Sequence, residues 1–141
     1  FGFPLVSENS QLKLESNNTE GRDENSATGI NQWDKFQAPT VGYTEQVFMH
    51  DLRADSDGMV NVELENPDLG LSVRLAYKKS QLPTLYQWKM MREGAYVTGI
   101  EPANTEGIMG RVDARNQGQL PQLEPGERKA YSLELSVIDK G

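Results

Sequence analysis

Residues 59–79, MVNVELENPDLGLSVRLAYKK, alternate apolar and polar side chains on both sides of a short turn, NPDLG. Successive side chains of a strand point to opposite faces, so a period of two predicts a strand with one buried face. Two such strands joined by a turn that contains Pro and Gly predict an antiparallel hairpin. The aligned apolar residues are Val60, Val62 and Leu64 before the turn and Leu71, Val73, Leu75 and Tyr77 after it.

The same pattern recurs on either side of this hairpin. Strand-like segments occupy residues 44–52 (TEQVFMHDL), 83–91 (PTLYQWKMM), 95–101 (AYVTGIE) and 128–138 (RKAYSLELSVI). Only residues 105–117 (TEGIMGRVDARNQ) leave room for a helical turn. Six strands at a spacing of about ten to fifteen residues, without a long helix, predict an all-β protein built from antiparallel sheet.

The N-terminal part of the chain lacks this alternation. Residues 7–43 are rich in polar side chains, and only residues 11–15 have the character of a strand. A long polar segment of this kind predicts a long loop. We therefore expect one domain over residues 1–141, with a long loop region at approximately residues 7–43.

Composition excludes several classes of function. The net charge is −7, whereas a protein that binds nucleic acid needs a basic surface. The sequence has no apolar run of about 18 residues, so we expect no membrane segment. It has no cysteine and one histidine, which argues against a disulfide, a thiolate nucleophile or a metal site. Cysteine usage alone leaves the compartment open, and we expect a cytoplasmic protein.

A few positions carry candidate chemistry. Glu101 follows an apolar strand and precedes Pro102. It is either a carboxylate in water or paired with an Arg, or a carboxylate in a cleft where burial tunes it as a base. Trp88 and Lys89 are neighbours in a strand and must point to opposite faces, so Trp88 is either a core residue or a platform for a sugar. His50 is either a general acid or a hydrogen-bonded structural histidine, and no Ser or Cys nucleophile motif surrounds it.

Two longer segments resemble the C-terminal part of the galactose mutarotase-like superfamily, which includes the aldose 1-epimerases. They are residues 82–104 (LPTLYQWKMMREGAYVTGIEPAN) and residues 120–137 (LPQLEPGERKAYSLELSV). In that family a late strand ends in a Glu followed by Pro or Thr, and this Glu is the catalytic base. A Leu-x-Pro-Gly-Glu turn then leads into the last strand, as residues 123–127 do here. The resemblance implies that Glu101 is the base.

Two shorter segments extend the resemblance. Residues 41–49 (VGYTEQVFM) are similar to a Gly-Tyr-Asp segment whose carboxylate binds substrate hydroxyls, but Thr44 stands at the Asp position and Glu45 follows it. Residues 1–5 (FGFPL) resemble the segment that follows a His-containing strand in the uncharacterised branch of the superfamily. That His is the catalytic acid of the family, so we expect it upstream of Phe1.

The resemblance implies the C-terminal portion of an antiparallel β-supersandwich with little helix. It implies aldose 1-epimerase (mutarotase) activity without a cofactor or a metal, in a protein completed by its missing N-terminal half. The expected partners are a sugar or sugar derivative and either that missing half or a second copy of the chain, and the fragment alone should be inactive. Glu101 is the expected catalytic residue, and the candidates to bind substrate hydroxyls are Glu45, Gln46, His50, Trp88, Lys89 and Arg111.

Two other functions fit the same residues. A non-catalytic carbohydrate-binding β-sandwich module would use Trp88 and an acidic cleft to hold a sugar without epimerising it. A purely structural half-domain would serve only to complete another chain. The sequence leaves both alternatives open beside the enzyme.

Overall fold

The computed structural model describes all residues, 1–141, as eight strands, two short α-helices and one 3-10 turn. The helix α2 lies within the segment where a helical turn is predicted. None of the helices is long and apolar enough to cross a membrane. The elements are β1 (Gln11–Lys13), β2 (Ser16–Gly21), α1 (Glu24–Thr28), the 3-10 turn (Ile30–Gln32), β3 (Gln46–Leu52), β4 (Met59–Asn66), β5 (Leu71–Lys78), β6 (Thr84–Arg92), β7 (Ala95–Ala103), α2 (Arg111–Asn116) and β8 (Leu133–Asp139).

The strands form two four-stranded sheets. The first has the order β1-β4-β5-β8 and the second has the order β2-β3-β6-β7. Every strand pair is antiparallel, which confirms the predicted all-β architecture. In the hairpin β4–β5, Val62 lies opposite Leu75 and Leu64 lies opposite Val73, so the aligned apolar residues share one face.

The hydrophobic core lies between the two sheets. Alternate residues of β3, β4 and β6 point inward, and burial of apolar side chains in this core supplies most of the favourable free energy of folding. The buried cluster consists of Val6, Leu12, Phe36, Leu52, Val60, Val62, Leu64, Leu75, Tyr77, Leu82, Leu85 and Met91.

Strand β1 lies within residues 11–15, where a strand is predicted, but the prediction of a long loop is wrong for the residues of β2, α1 and the 3-10 turn. Strand β1 pairs with β4, strand β2 pairs with β3, and α1 begins at a capping residue, Asp23, whose Oδ1 accepts a hydrogen bond from Ser26 N (2.8 Å). Both strands lie at sheet edges, and β2 (SNNTEG) has no buried residue. An edge strand of this kind needs no apolar alternation, so the period-two signal is absent from its sequence.

Strand β7 is longer than the sequence pattern indicates. It runs through Glu101 and Pro102 to Ala103, with Glu101 opposite Tyr86 of β6. It is the last strand of its sheet, where a proline is tolerated because it lacks an N–H group. The backbone is therefore regular strand both before and after Glu101 in the sequence.

The other edge of β7 is occupied by the first residues of the chain. Phe1 N donates to Thr98 O (2.6 Å), and Thr98 N donates to Phe1 O (2.8 Å). Gly2 also forms an antiparallel bridge with Val97. Residues beyond Thr98 on this edge have no strand beside them.

Strand β8 begins at Leu133, five residues later than the predicted segment 128–138, and its apolar face is uncovered. Leu133, Leu135 and Val137 are 49%, 60% and 69% exposed. Their cross-strand partners on β5 include Leu75 and Tyr77, which are buried in the core. The apolar face of this sheet is therefore covered by the core at β5 and uncovered at β8.

Candidate functional site

The outer face of the β2-β3-β6-β7 sheet carries the predicted base. Alternation along β6 places Tyr86 and Trp88 on this face, while Lys89 points toward the core. Val47, Trp88 and Gly99 lie in one row across the sheet, and Tyr86 and Glu101 lie in the next. Side chains from three strands therefore converge on one surface.

A cavity of about 330 Å³ lies on this outer face. It is open to solvent on one side, and residues that follow β7 form part of its wall. Two carboxylates, one guanidinium and two aromatic rings surround it. Its lining residues are Arg22, Glu45, Val47, Tyr86, Trp88, Glu101, Gly107 and Ile108.

Three of the lining side chains form a chain of hydrogen bonds. Arg22 Nη2 donates to Glu45 Oε1 (3.0 Å), and Trp88 Nε1 donates to Glu45 Oε2 (2.8 Å). The hydrogen bond from Arg22, followed by that from Trp88, lowers the pKa of Glu45. The bond to Glu45 in turn raises the pKa of Arg22, so both groups carry their charges at neutral pH.

Glu101 lies beside these hydrogen-bonded side chains, and its own carboxylate has no hydrogen-bond partner in the protein. Its carboxylate folds back over Gly99, where a Cβ atom would collide with Glu101 Oε1. The same Cβ would lie 3.3 Å from Trp88 Cβ. The absence of a side chain at Gly99 thus leaves room for the carboxylate next to the indole.

The change Gly99→Ala should displace the Glu101 carboxylate and lower any activity that depends on it, while stability changes little. The colliding atom is the end of a flexible side chain, and alanine fits a strand at least as well as glycine does. Activity and thermal unfolding of the intact protein would be measured together. Gly2→Ala is the matched control, because its Cβ meets Tyr96 O at an ordinary 3.5 Å. Equal activity in both variants would show that the position of the carboxylate is unimportant.

His50 lies on the opposite face of the sheet and is fully buried. Gln87 Nε2 donates to Trp33 O (2.8 Å), so Gln87 Oε1 faces His50 Nε2 (3.2 Å), which therefore carries the proton. His50 Nδ1 accepts a hydrogen bond from Thr19 Oγ1 (2.9 Å). Burial lowers the pKa of His50 to about 4, and this environment is that of a neutral structural histidine.

Lys89 also points into the protein and is 3% exposed. Its Nζ donates to Gln32 O (3.0 Å) and lies 5.9 Å from the centre of the Phe36 ring. Burial lowers the pKa of Lys89 to about 8, although the charge of Asp34 opposes that shift. Lys89 and Glu101 are thus on opposite faces of the sheet.

The remaining two predicted residues also lie outside the cavity lining. Gln46 Oε1 accepts a hydrogen bond from Tyr43 Oη (2.9 Å), and Gln46 Nε2 donates to Asn25 O (3.0 Å), so its amide joins β3 to α1. Arg111 is the exposed first residue of α2. The structure therefore brings together Glu45, Trp88 and Glu101, and it separates Gln46, His50, Lys89 and Arg111 from them.

Five lining residues were not among the sequence-based candidates, and two of them, Arg22 and Tyr86, have polar side chains. Tyr86 lies two positions before Trp88, and this period-two spacing is a signal that places it on the same face. Its Oη donates to Thr105 O (3.0 Å), which ties the segment after β7 to the sheet. Arg22 follows β2, and the polar composition around it gives no comparable signal.

No group of three or more His, Asp or Glu side chains is placed to hold a metal ion. Residues 54–58 (ADSDG), which contain two aspartates, form a turn between β3 and β4. In this turn Asp55 Oδ1 accepts hydrogen bonds from Asp57 N and Met59 N (both 2.9 Å). Its carboxylate is thus used by the backbone.

Comparisons with known proteins agree with this architecture. A crystal structure from Klebsiella pneumoniae, described as that of a "putative aldose 1-epimerase", matches with a TM-score of 0.89 and 24% sequence identity. The match covers 99% of this chain and 37% of that chain, so this chain spans little more than a third of its length. At this identity the match shows a shared fold.

No curated protein sequence matches the chain. A family model does match, over residues 1–137, which is nearly the whole sequence. The chain belongs to the family described as "Domain of unknown function (DUF4432)".

Proposed function

We propose that residues 1–141 carry the catalytic base of an aldose 1-epimerase, and that the intact protein interconverts the anomers of an aldose or an aldose derivative. The observation that carries this proposal is the position of Glu101, whose carboxylate lies beside Trp88 in an open cavity of about 330 Å³. A carboxylate supplies a base, and an indole supplies an apolar surface for the C–H face of a sugar. The fold shared with a protein described as a "putative aldose 1-epimerase" supports the same function.

In the proposed reaction Glu101 accepts the proton of the anomeric hydroxyl while an acid protonates the ring oxygen. The C1–O5 bond breaks as the carbonyl forms at C1, and the open-chain sugar rotates about C1–C2. Attack of the C5 hydroxyl on the other face of the carbonyl closes the ring again, with both proton transfers reversed. No redox step or group transfer occurs, so the reaction needs no cofactor.

We expect the acid for this reaction to come from outside the cavity, as the resemblance implies. His50 is buried on the other face of the sheet, and the low pKa that its burial causes makes its protonated form scarce at neutral pH. Any segment that continues antiparallel to β7 before Phe1 would run alongside Gly99 and Glu101. A side chain on such a segment is well placed to act as the acid, in agreement with the resemblance. A sugar is the expected ligand, and a cytoplasmic location belongs to the same proposal.

The proposed function includes a larger sandwich, of which residues 1–141 are one domain-sized C-terminal part. The uncovered apolar face of β8 and the free edge of β7 are positions where further strands would bury apolar surface and satisfy backbone groups. More than half of the Klebsiella chain lies outside the matched region, so the shared fold is part of a longer chain there. In this proposal the partner is the remaining half of the protein, and self-association is the alternative when that half is absent.

The isolated chain 1–141 should therefore self-associate or aggregate when it is studied by sedimentation velocity. Leu135→Lys places a charge on the apolar face of β8 and should reduce that association. Ser136→Lys is the matched control, because its side chain points to the other face of the same strand. A monodisperse wild-type monomer with a cooperative unfolding transition would contradict the larger sandwich.

The enzymatic proposal is tested with the intact wild-type protein and a panel of neutral aldoses and their phosphates. Freshly dissolved single anomers are mixed with the protein, and the anomeric protons are followed by NMR. We expect one or more sugars to equilibrate faster than in the buffer alone. Sugar binding without acceleration for any member of the panel would contradict an epimerase and leave a binding module.

A further inference from the structure

We propose that Glu45 is a positioning residue, which fixes the indole of Trp88 as a stacking surface for the sugar, and that Arg22 fixes Glu45 in turn. This inference rests on the proposed function, because it assigns the sugar-contacting surface of the same cavity. It differs from the role that the resemblance implies for this segment, in which a carboxylate binds substrate hydroxyls directly.

The hydrogen bonds of Glu45 carry the inference. Each carboxylate oxygen is already engaged by a protein donor, Oε1 by Arg22 and Oε2 by Trp88. The bond from Trp88 is 2.8 Å long and charge-assisted on the acceptor side, so it ranks among the stronger hydrogen bonds of a protein. A carboxylate held in this way orients the indole plane.

Further hydrogen bonds connect Arg22 to the backbone of α1 and β3. Arg22 Nε donates to Asp23 Oδ2 (3.1 Å), while Asp23 Oδ1 accepts from the Ser26 amide as the cap of α1. Ser26 Oγ in turn accepts from Val47 N (3.0 Å), and Val47 lies opposite Trp88 in the sheet. The series of contacts thus starts at α1 and returns to the sheet, which gives Glu45 a fixed position.

Arg22 is poorly placed to serve as an anion-binding site. Its guanidinium forms ion pairs with both Asp23 (3.0 Å) and Glu45 (3.0 Å), so its charge is already balanced by two carboxylates. Its side chain is 33% exposed and faces the cavity beside Trp88. Its part in the site is to hold Glu45.

An oriented indole lowers the entropic cost of sugar binding. A side chain that already has its bound rotamer in the free protein loses less freedom when the ligand arrives. Loss of the bond to Glu45 lets the Trp88 ring sample other rotamers, and the stacked complex becomes weaker. The chemical step at Glu101 does not use this bond, so sugar affinity should change more than turnover.

The test combines NMR of the indole N–H groups with a double-mutant cycle in the intact protein. The Trp88 resonance is identified by its loss in Trp88→Phe. In Glu45→Ala this resonance should shift and broaden in the absence of sugar, and Arg22→Lys should keep it near its wild-type position. Kd for an accepted sugar should rise about three- to tenfold in Glu45→Ala, with kcat changed less than KM.

The cycle separates positioning from direct contact. Phenylalanine keeps an aromatic face but has no N–H group, so Glu45→Ala should have no further effect on Kd in the Trp88→Phe background. Additive effects would show that Glu45 binds the sugar itself, and an unchanged indole resonance in Glu45→Ala would show that it does not orient Trp88. Either result overturns the inference.

The same measurements distinguish failure of this inference from failure of the proposed function. Wild-type protein that binds sugar with the expected coupling but does not accelerate mutarotation would overturn the epimerase and leave the positioning role intact. Wild-type protein that binds no sugar of the panel would overturn both.

Discussion

Replacing Glu101 with Gln should lower mutarotation by the intact protein by at least about a hundredfold, the lower end of the usual contribution of general-base catalysis. The amide preserves the shape and the hydrogen-bonding capacity of the carboxylate but cannot accept the anomeric proton. Sugar affinity should change much less, because a base acts chiefly on the transition state. The measurement compares kcat and KM of the two proteins by polarimetry or by NMR of the anomeric protons.

Glu106→Gln is the matched control for this substitution. Glu106 is an exposed carboxylate in the segment after β7, and it does not line the cavity that contains Glu101. The control should retain wild-type turnover. Equal turnover in Glu101→Gln and the wild type would remove Glu101 from the mechanism, whatever the activity of the protein.

Most of the strand framework could be predicted from the sequence because its strands bury one face. In β4, Val60, Val62 and Leu64 are 1–2% exposed, and each alternates with a polar residue that is less buried or exposed. Strand β5 has apolar residues at alternate positions in the same way, whereas the buried positions of β6 include Gln87 and Lys89, and Tyr86 and Trp88 lie on its other face. The period-two signal is the direct record of this burial.

The N-terminal elements could not be predicted in the same way because they are stabilised by partners distant in sequence. Strand β2 is completed by hydrogen bonds to β3, some thirty residues later, and its own side chains are polar and largely exposed. The helix α1 has only five residues, and its most specific signal is the capping Asp23. Such segments lack the apolar alternation from which a strand or a helix is predicted.

The candidate site was predictable only where alternation fixes the face. The opposite orientations of Trp88 and Lys89 follow from their adjacency in a strand, and the structure has Lys89 buried and Trp88 on the cavity side. Which of the two faces is the outer one depends on how the sheets pack. For that reason the sequence could not separate Glu45 and Trp88 from Gln46, His50 and Lys89, which lie on the inner side.

Arg22 was missed for a related reason. It joins the cavity because β2 pairs with β3, which brings it to Glu45, 23 residues later in the chain. Long-range pairing of an irregular polar segment leaves no local pattern. The neighbouring Tyr86 was accessible to sequence analysis, because it has the same phase as Trp88.

The free energy of unfolding should fall by as much as about 3 kcal/mol as the pH is lowered from 6.5 to about 4, because of His50. Burial lowers the pKa of His50 from 6.5 to about 4 in the folded protein. Between these values the unfolded chain binds a proton that the folded protein does not, so acid favours unfolding. Below about pH 4 both states are protonated, and this contribution changes no further.

Carboxylates with lowered pKa values act in a different pH range. Hydrogen bonds and ion pairs lower the pKa values of Asp23, Glu45 and Asp51, so their contributions are present above the unfolded pKa of about 4. They are lost only as the pH falls below that value. The range between pH 4.5 and 6.5 therefore reports mainly on His50.

The effect of His50 is measured by urea unfolding of the intact protein at several pH values between 4.5 and 7, compared with His50→Gln. The glutamine variant keeps a hydrogen-bonding side chain without a titrating group, so its free energy of unfolding should vary much less over this range. If the variant does not fold, an NMR titration of the imidazole protons in the wild-type protein gives the pKa directly. A His50 imidazole that titrates near 6.5 in the folded protein would contradict its burial, as would equal pH dependence in both proteins. Because the Thr19 hydroxyl can accept as well as donate, a protonated imidazole keeps partners for both ring nitrogens, and the cost of protonation is the burial of its charge.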